Sequence, residues 1–336
     1  MKIGTIIIAI FFIVALLGSI AGVSYYYLRS IEVVEARVFE HLETAVHSRA
    51  HHIESFLGEK KILAKNLALI GKVERLLSAS ESDSDYNTKK IAVIERLQKT
   101  MNHVEGIKSI GVMDENNILI ASTNQELVGW DYSDTVFFKE NPEKETMIQF
   151  VYDSSLDLVV LSTVSPIKDS SGGYLGMIGM VFDSEIFYEI TLDKVGIGET
   201  GETYLINRDS YTITPLLFEE DAPLKFRIDS INSRNCLSMF FNVEGVEEHI
   251  GHEPVNVFLD YRGEKVIGAH YALKEFDLCL LAEIDESEIL DEQKQFFQRV
   301  SFLIIIVITG LSTLIGFFFG RFVDKTVVLR KYKKRL

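Results

Sequence analysis

The chain has 336 residues, 47% of them hydrophobic and 25% charged, and a formal net charge of −15. Nucleic acid is excluded as a partner, because a phosphate backbone is gripped by a basic surface. The mean hydropathy of +0.14 is high for a soluble chain and too low for a protein of many membrane spans.

From Ile3 to Leu28 no residue is charged. About 20 apolar residues of helix cross a bilayer core, so residues 1–28 are predicted to form a first transmembrane helix. Tyr25, Tyr26 and Tyr27 close it at headgroup level. The apolar run exceeds the roughly 7–15 residues of a signal-peptide core, despite the small Ala21 and Gly22 that a cleavage site would use.

Residues 29–78 read as one long helix. Val34, Val38, Leu42, Ala45, Ile53, Phe56, Leu57, Ile62, Leu63, Leu67 and Ile70 recur at helical spacing with charges between them, and no proline interrupts. Such a helix is a stalk, a homodimer contact or the spine of a domain. His47 and His51, four apart beside His52, either hold a metal or are polar positions on its surface. "SASESDSDYNTKK" (78–90) is a loop, and a second helix spans about Lys89 to His103.

The period then changes from helix to strand. "SIGVMDENNILIAST" is strand, turn and strand with Asp114 to Asn117 turning. "DLVVLSTVSPIKDSSGGYLGMIGMVFD" gives two longer strands around Lys168 to Gly173. A helix over 183–195 follows, and the plan repeats. "TYLINRDSYTITP" is strand, turn and strand with Asn207 to Ser210 turning, and "EKVIGAHYALKEFDLCLLAEID" gives two longer strands. The expected fold class is α+β, with two tandem modules of antiparallel sheet, a distal one at 79–190 and a proximal one at 191–299. Residues 286–300 lead as a helix into a second transmembrane helix at 300–320, where no residue is charged.

The tail, 321–336, carries Arg321, Lys325, Arg330, Lys331, Lys333, Lys334 and Arg335 against Asp324. Basic flanks stay cytoplasmic, so both termini are expected inside a cell membrane and residues 29–299 outside. That outer segment holds 48 acidic residues against 26 Lys and Arg, a balance of −22 that keeps it soluble and off anionic lipid. Cys236 and Cys279 both lie in it. An oxidising compartment permits a bridge, and two buried free thiols are the alternative.

Four stretches invite chemistry. Gly196, Gly198 and Gly201 spell G-x-G-x-x-G, the form of a dinucleotide loop. That loop needs a strand before it and a helix after it, and here the order is reversed, so the glycines read as a helix end followed by a turn. "EEHIGHE" (247–253) sets His249 and His252 among Glu247, Glu248 and Glu253, either a zinc-like set or a solvated acidic loop, with no metal expected. Trp130, Tyr132, Asp134, Thr135, Phe137, Phe138, Tyr152 and Asp153 supply the mixture of apolar bodies and a few polar groups that a small-ligand pocket uses. The alternative for them is ordinary core and solvated loop. No nucleophile elbow, zinc-protease helix or phosphate loop of the G-x-x-x-x-G-K-[ST] form occurs, so neither an enzyme nor a cofactor is expected.

The segment "GIGETGETYLINRDSYTIT" resembles the entry to the membrane-proximal module of a double Cache domain, a PAS-like sensor. "GWDYSDTVFFKE" (129–140) resembles the pocket loop of its distal module, and "DYRGEKVIGAHYALKEFDLCLLAEIDESE" its closing strands. The resemblance covers about residues 35–295 and the two-span layout. It implies extracytoplasmic sensing with a small ligand in the distal module, signalled through the second span to a chemotaxis, kinase or cyclase output. In members that take amino acids, an arginine of the pocket loop grips the ligand carboxylate. Thr135 stands there, followed by the aromatic pair Phe137 and Phe138. Val151 stands at a tyrosine position and Val181 near the aspartate that holds the ligand amine, while Asp153 is kept. The implied ligand is therefore uncharged or cationic. Sixteen residues follow Gly320, so the output is expected from a signalling partner or a domain beyond this sequence. A membrane-anchored protein-interaction module without a small ligand is the alternative function.

Overall fold

The computed structural model describes residues 2–135, 145–153, 158–240 and 257–333. They fall into two compact units, 1–40 with 285–336, and 41–284.

The first unit is helical. It holds the start of α1 (Lys2–Ala68) and α6 (Glu286–Lys333), which follows the last strand without a break. Both helices are long and apolar enough to cross a membrane. Within this unit the Tyr27 and Phe297 rings meet at 4.4 Å, and Ser30 Oγ donates to Gln293 at 3.0 Å. Helix α6 runs into the basic tail as far as Lys333.

The second unit carries two antiparallel sheets along the rest of α1. Leu42, Val46, Ala50, Ile53, Leu57, Ala64 and Leu67 are buried at helical spacing, so one stripe of α1 faces the sheets. Each large side chain among them contributes roughly 1.5–3 kcal/mol by leaving water. The helix ends at Ala68, ten residues before Ser78, where the periodicity places its end. Ile70 is extended, and α2 (Gly71–Leu77) starts in a new direction. The apolar spacing survives this turn because Val73 and Leu76 are buried as well. Tertiary packing, not a proline, breaks the helix. α3 (Tyr86–Met101) then lays Val93, Leu97 and Thr100 into the core.

The first sheet has the order β2-β1-β5-β4-β3, with every pairing antiparallel. Its strands are β1 (Ile107–Asp114), β2 (Leu119–Ser122), β3 (Met147–Asp153), β4 (Leu158–Lys168) and β5 (Tyr174–Asp183). The turns lie where the sequence places them. Asp114 Oδ1 accepts from the backbone of Asn116 and Ile118 at 2.9 Å each, and Asp169 Oδ1 from Ser171 and Gly173 at 2.8 Å. Strand β3 has no counterpart in the sequence reading. Helix α4 (Glu185–Leu192) is shorter than the predicted 183–195.

The second sheet has the order β6-β9-β8-β7, from β6 (Glu202–Asn207), β7 (Phe258–Leu259), β8 (Lys265–Leu273) and β9 (Leu278–Asp285). The hairpin partner expected for β6 over 211–215 is not a strand. Only isolated bridges join Ile206 to Thr212 and Tyr211 to Arg227. The ladder there is short, with Asn207 N donating to Tyr211 O at 2.9 Å and Ile213 N to Leu205 O at 2.7 Å; beyond it Thr214 Oγ1 accepts from Leu205 N at 3.0 Å, Thr212 Oγ1 donates to Ala222 O at 2.6 Å, and Pro215 has no N–H to continue. Helix α5 (Ile231–Ser238) packs on this sheet, and Cys236 is bridged to Cys279 of β9, which settles the open choice between a disulfide and free thiols.

The glycine segment joins the two sheets. Gly196 and Gly198 take φ of +81° and +79°, a region that costs glycine little. Arg49 donates to Asp193 O at 2.7 Å and Val195 O at 3.2 Å, and Lys194 Nζ to Glu199 O at 2.8 Å and Gly201 O at 2.7 Å. The cations bind carbonyls of the loop itself, and strand β6 follows instead of a helix.

His270 gives the fold a pH dependence. Its Nδ1 donates to Asn232 Oδ1 at 2.8 Å, since that amide's nitrogen is already committed as a donor, and burial lowers its pKa to about 4. A folded pKa below the unfolded value means that the unfolded chain takes up the proton first. The contribution is complete above the unfolded pKa and is lost as pH falls toward 4. In urea unfolding, the stability of wild type relative to His270→Asn is expected to drop by about 3 kcal/mol between pH 6.5 and 4. A pH-independent difference would contradict the assignment.

Candidate functional site

Strands β1, β5, β4 and β3 form the floor of a cavity of about 610 Å³ in the first sheet. Register builds it. Gly111 of β1 lies opposite Gly179 of β5, which lies opposite Val164 of β4; the next row is Ser109, Val181 and Ser162. Two glycines side by side leave the middle of the floor without side chains of its own, and Leu119 and Met113 settle onto them: a Cβ on Gly111 would lie 2.5 Å from Leu119 Cδ1, and one on Gly179 3.1 Å from Met113 Cε. Met113, Leu119 and Val164 give one wall an apolar lining, with Leu127, Tyr132 and Val151 packed against them.

The roof is the loop after β2. It is tied down by backbone bonds from Leu119 N to Trp130 O at 2.9 Å, Gly129 N to Leu119 O at 2.8 Å and Tyr132 N to Asn117 O at 3.1 Å. Six of the eight residues singled out from the sequence line this cavity together: Trp130, Tyr132, Asp134, Thr135, Tyr152 and Asp153. Phe137 and Phe138 lie outside the described residues, as do His249 and His252 of the acidic loop. Trp130 and Tyr152 are 56% and 47% exposed, which places them at the mouth. The Thr135 hydroxyl donates to Tyr132 O at 2.8 Å, so it holds the loop's own turn. Burial raises the Tyr132 phenol above its ordinary range, and the carboxylate of Asp153 adds to the shift, keeping the hydroxyl protonated as a donor.

Among the described residues the lining's charge is one-sided. Asp134 and Asp153 are its acids, and no Lys or Arg joins them among the described residues. Val151 and Val181, which the resemblance sets at or near a tyrosine and an aspartate, both line the cavity.

Sequence reasoning missed the floor: Ser109, Gly111, Met113, Ser162 and Gly179. It also missed Leu224, which reaches the cavity from the chain that follows β6. Leu224 has φ of +55°, a region unfavourable for a branched side chain, and its N–H donates to Thr212 O at 2.6 Å. The helix histidines make ring contacts: His47 and His51 pack edge-on against Tyr271 with centroids at 4.9 and 5.9 Å, and His51 Nδ1 lies 3.3 Å from Glu54.

The Cache domain family's model matches residues 30–293. The chain belongs to the Cache domain family. Solved Cache structures agree in fold at low identity. The sensor domain of the V. cholerae histidine kinase DctB matches with a TM-score of 0.56 at 10% identity, covering 74% of this chain and 97% of that one. The ligand-binding domain of Mlp24 with asparagine gives 0.51 at 16%, covering 79% and 98%. That of the Pseudomonas fluorescens chemoreceptor CtaA with L-isoleucine gives 0.51 at 13%, covering 78% and 98%. A search of curated protein sequences returned no match. As in those Cache sensor domains, a long N-terminal helix carries mixed helix and antiparallel sheet, and two sheets fit tandem PAS-like modules.

Proposed function

We propose that this Cache protein is a two-pass receptor of the cell membrane whose outer segment binds a small cationic or uncharged ligand in the cavity of the first sheet. The observation that carries this reading is the lining itself: about 610 Å³, largely apolar, with Asp134 and Asp153 and no basic residue among those described. The volume suits a small ligand, and the two carboxylates favour a cation over an acid. The bridge between Cys236 and Cys279 supports an oxidising, extracytoplasmic location.

Leu224, on the chain between β6 and α5, lines the cavity, and β9, which pairs with β6, continues directly into α6. A ligand that fits one arrangement of Leu224 better than another biases the second sheet, and α6 carries the bias across the bilayer to a cytoplasmic partner or output domain. The shift is limited by the ligand's differential affinity for the two states.

A thermal-unfolding screen of the full chain in detergent micelles, with small amines, polyols and carboxylates, tests the ligand class. An amine or polyol is expected to stabilise the chain by about 2.7 kcal/mol at a hundred times its Kd. For an amine, Asp153→Asn is expected to weaken binding roughly tenfold, about 1.4 kcal/mol. Tight binding of a carboxylate or an amino acid would overturn the assignment. A chain that no member of the panel stabilises would favour the protein-interaction module.

A further inference from the structure

The second sheet buries an arrangement of acids that sensing in the first does not use. Glu202 of β6 lies directly opposite Glu283 of β9, and the turn after β7 adds Asp260. One carboxylate oxygen from each lies within 4.8 Å of the others. The three are 5%, 1% and 7% exposed. Like charges directly across a ladder repel, and out of water the repulsion is larger.

The existing contacts do not compensate. Glu202 Oε2 accepts from Leu217 N at 2.9 Å, and Glu283 Oε1 from Asn232 Nδ2 at 3.1 Å. Asp260 Oδ1 accepts from the backbone of Arg262 at 2.8 Å and Glu264 at 3.0 Å, and its Oδ2 from Arg262 Nε at 2.6 Å. Arg262 thereby neutralises one carboxylate of three. Glu202 Oε1 and Glu283 Oε2 are buried without a hydrogen-bond partner. So is the hydroxyl of Tyr204, a side chain that is 0% exposed, and that of Tyr261. The Tyr204 hydroxyl faces the Glu283 carboxylate and the Tyr261 hydroxyl faces that of Glu202, each short of a bond of ordinary geometry, so these hydroxyls belong to the same cluster. Buried polar atoms normally have partners, and here several converge without them.

We propose that Glu202, Asp260 and Glu283 bind a divalent cation, with the tyrosine hydroxyls beside it. When all three carboxylates are ionised, three less one guanidinium leave two negative charges, which one such ion balances. All-oxygen donors select a hard cation. A site supplied largely by protein oxygens, with little room for retained water, suits Ca²⁺ better than Mg²⁺. The ion would fasten the turn after β7 to the paired strands β6 and β9, and β9 leads into α6.

The test uses the full chain in detergent micelles after chelation. Calorimetric titration with Ca²⁺ is expected to show one site per chain and a raised melting temperature. Tb³⁺, which replaces Ca²⁺ and is excited by energy transfer from tyrosine, is expected to luminesce and be displaced by Ca²⁺. Glu283→Gln and Glu202→Gln are each expected to weaken Ca²⁺ at least a hundredfold, whereas Asp153→Asn in the other sheet leaves it unchanged. Failure here is therefore distinct from failure of the ligand reading. A wild-type chain without calorimetric binding or a thermal shift would overturn the site, even if the variants do not fold. Binding that survives both glutamine variants would also overturn it. Stabilisation by Glu283→Gln in the absence of any Ca²⁺ effect would mean that the acids share a proton instead.

Discussion

Gly201→Ala is expected to destabilise the two-sheet unit by about 3–5 kcal/mol, among the largest costs a single methyl group imposes. A Cβ on Gly201 would lie inside the contact distance of the Ile197 carbonyl oxygen, and close to that residue's carbonyl carbon and Cβ. The obstructing atom is backbone, so no side chain can swing aside. The backbone around Ile197 is held in turn by Arg49 and Lys194 through the carbonyls on either side of it. Gly196 gives the contrast. A Cβ there meets nothing within 4 Å, and only the φ of +81° resists it, so Gly196→Ala is expected to cost about 1 kcal/mol. Urea unfolding of the two variants, followed by circular dichroism of the full chain, separates them. Equal costs would mean that backbone conformation, not close approach, selects both glycines. A phosphate-binding loop would also show a loss of nucleotide affinity in both variants, which the joint does not predict.

That contrast indicates what the sequence made legible. The glycine segment was readable because its neighbours in the chain decide it: a helix before, a strand after, and no pyrophosphate site in that order. The turns at Asp114 and Asp169 were readable for the same reason, since each side chain caps backbone two and four residues on. Strand β3 was not readable. Alternation of polar and apolar residues marks a strand with one wet face, and β3 has no such division: Met147 to Val151 are all half-buried, Val151 lining the cavity and Phe150 packing edge-on against Phe187 at 4.9 Å. The roof of the cavity shows in the sequence as a loop rich in aromatics and acids. Its floor does not, because Gly111 and Gly179 carry no chemistry and meet only through the register of β1 with β5. Glu202 and Glu283 are as far beyond local pattern, being a pair made by the register of β6 with β9. The end of α1 at Ala68 belongs with these, since the stripe of buried residues continues into α2 while the direction of the chain changes.

Removal of the Cys236–Cys279 bridge is expected to cost about 4 kcal/mol in the loop-closure model, for a sequence separation of 43 residues. Both cysteines are fully buried in one cluster with Tyr204, Ile206, Leu216 and Leu281. A double Cys236→Ala, Cys279→Ala variant therefore loses cross-link and sulfur packing together. The reductant comparison isolates the first. Wild type melted in dithiothreitol is expected to fall by most of the difference between the proteins, while the variant's melting temperature stays put. If reductant leaves wild type unmoved under conditions that reduce the bridge, the stabilisation is packing, and the cross-link contributes little. The position of the bridge gives the result a functional reading. It fixes α5 to β9, and α5 carries Asn232, whose amide holds Glu283 on the same strand. Strand β9 continues as α6, so loosening α5 acts on the element that the proposed mechanism carries across the bilayer. On the proposed function, the reduced protein should then bind ligand with the same Kd at the cavity of the first sheet but with a weaker effect on α6. A spin-label pair on α6 of the full chain, read with and without ligand, measures that effect. An undiminished response after reduction would show that β9 needs no support from α5 to transmit it.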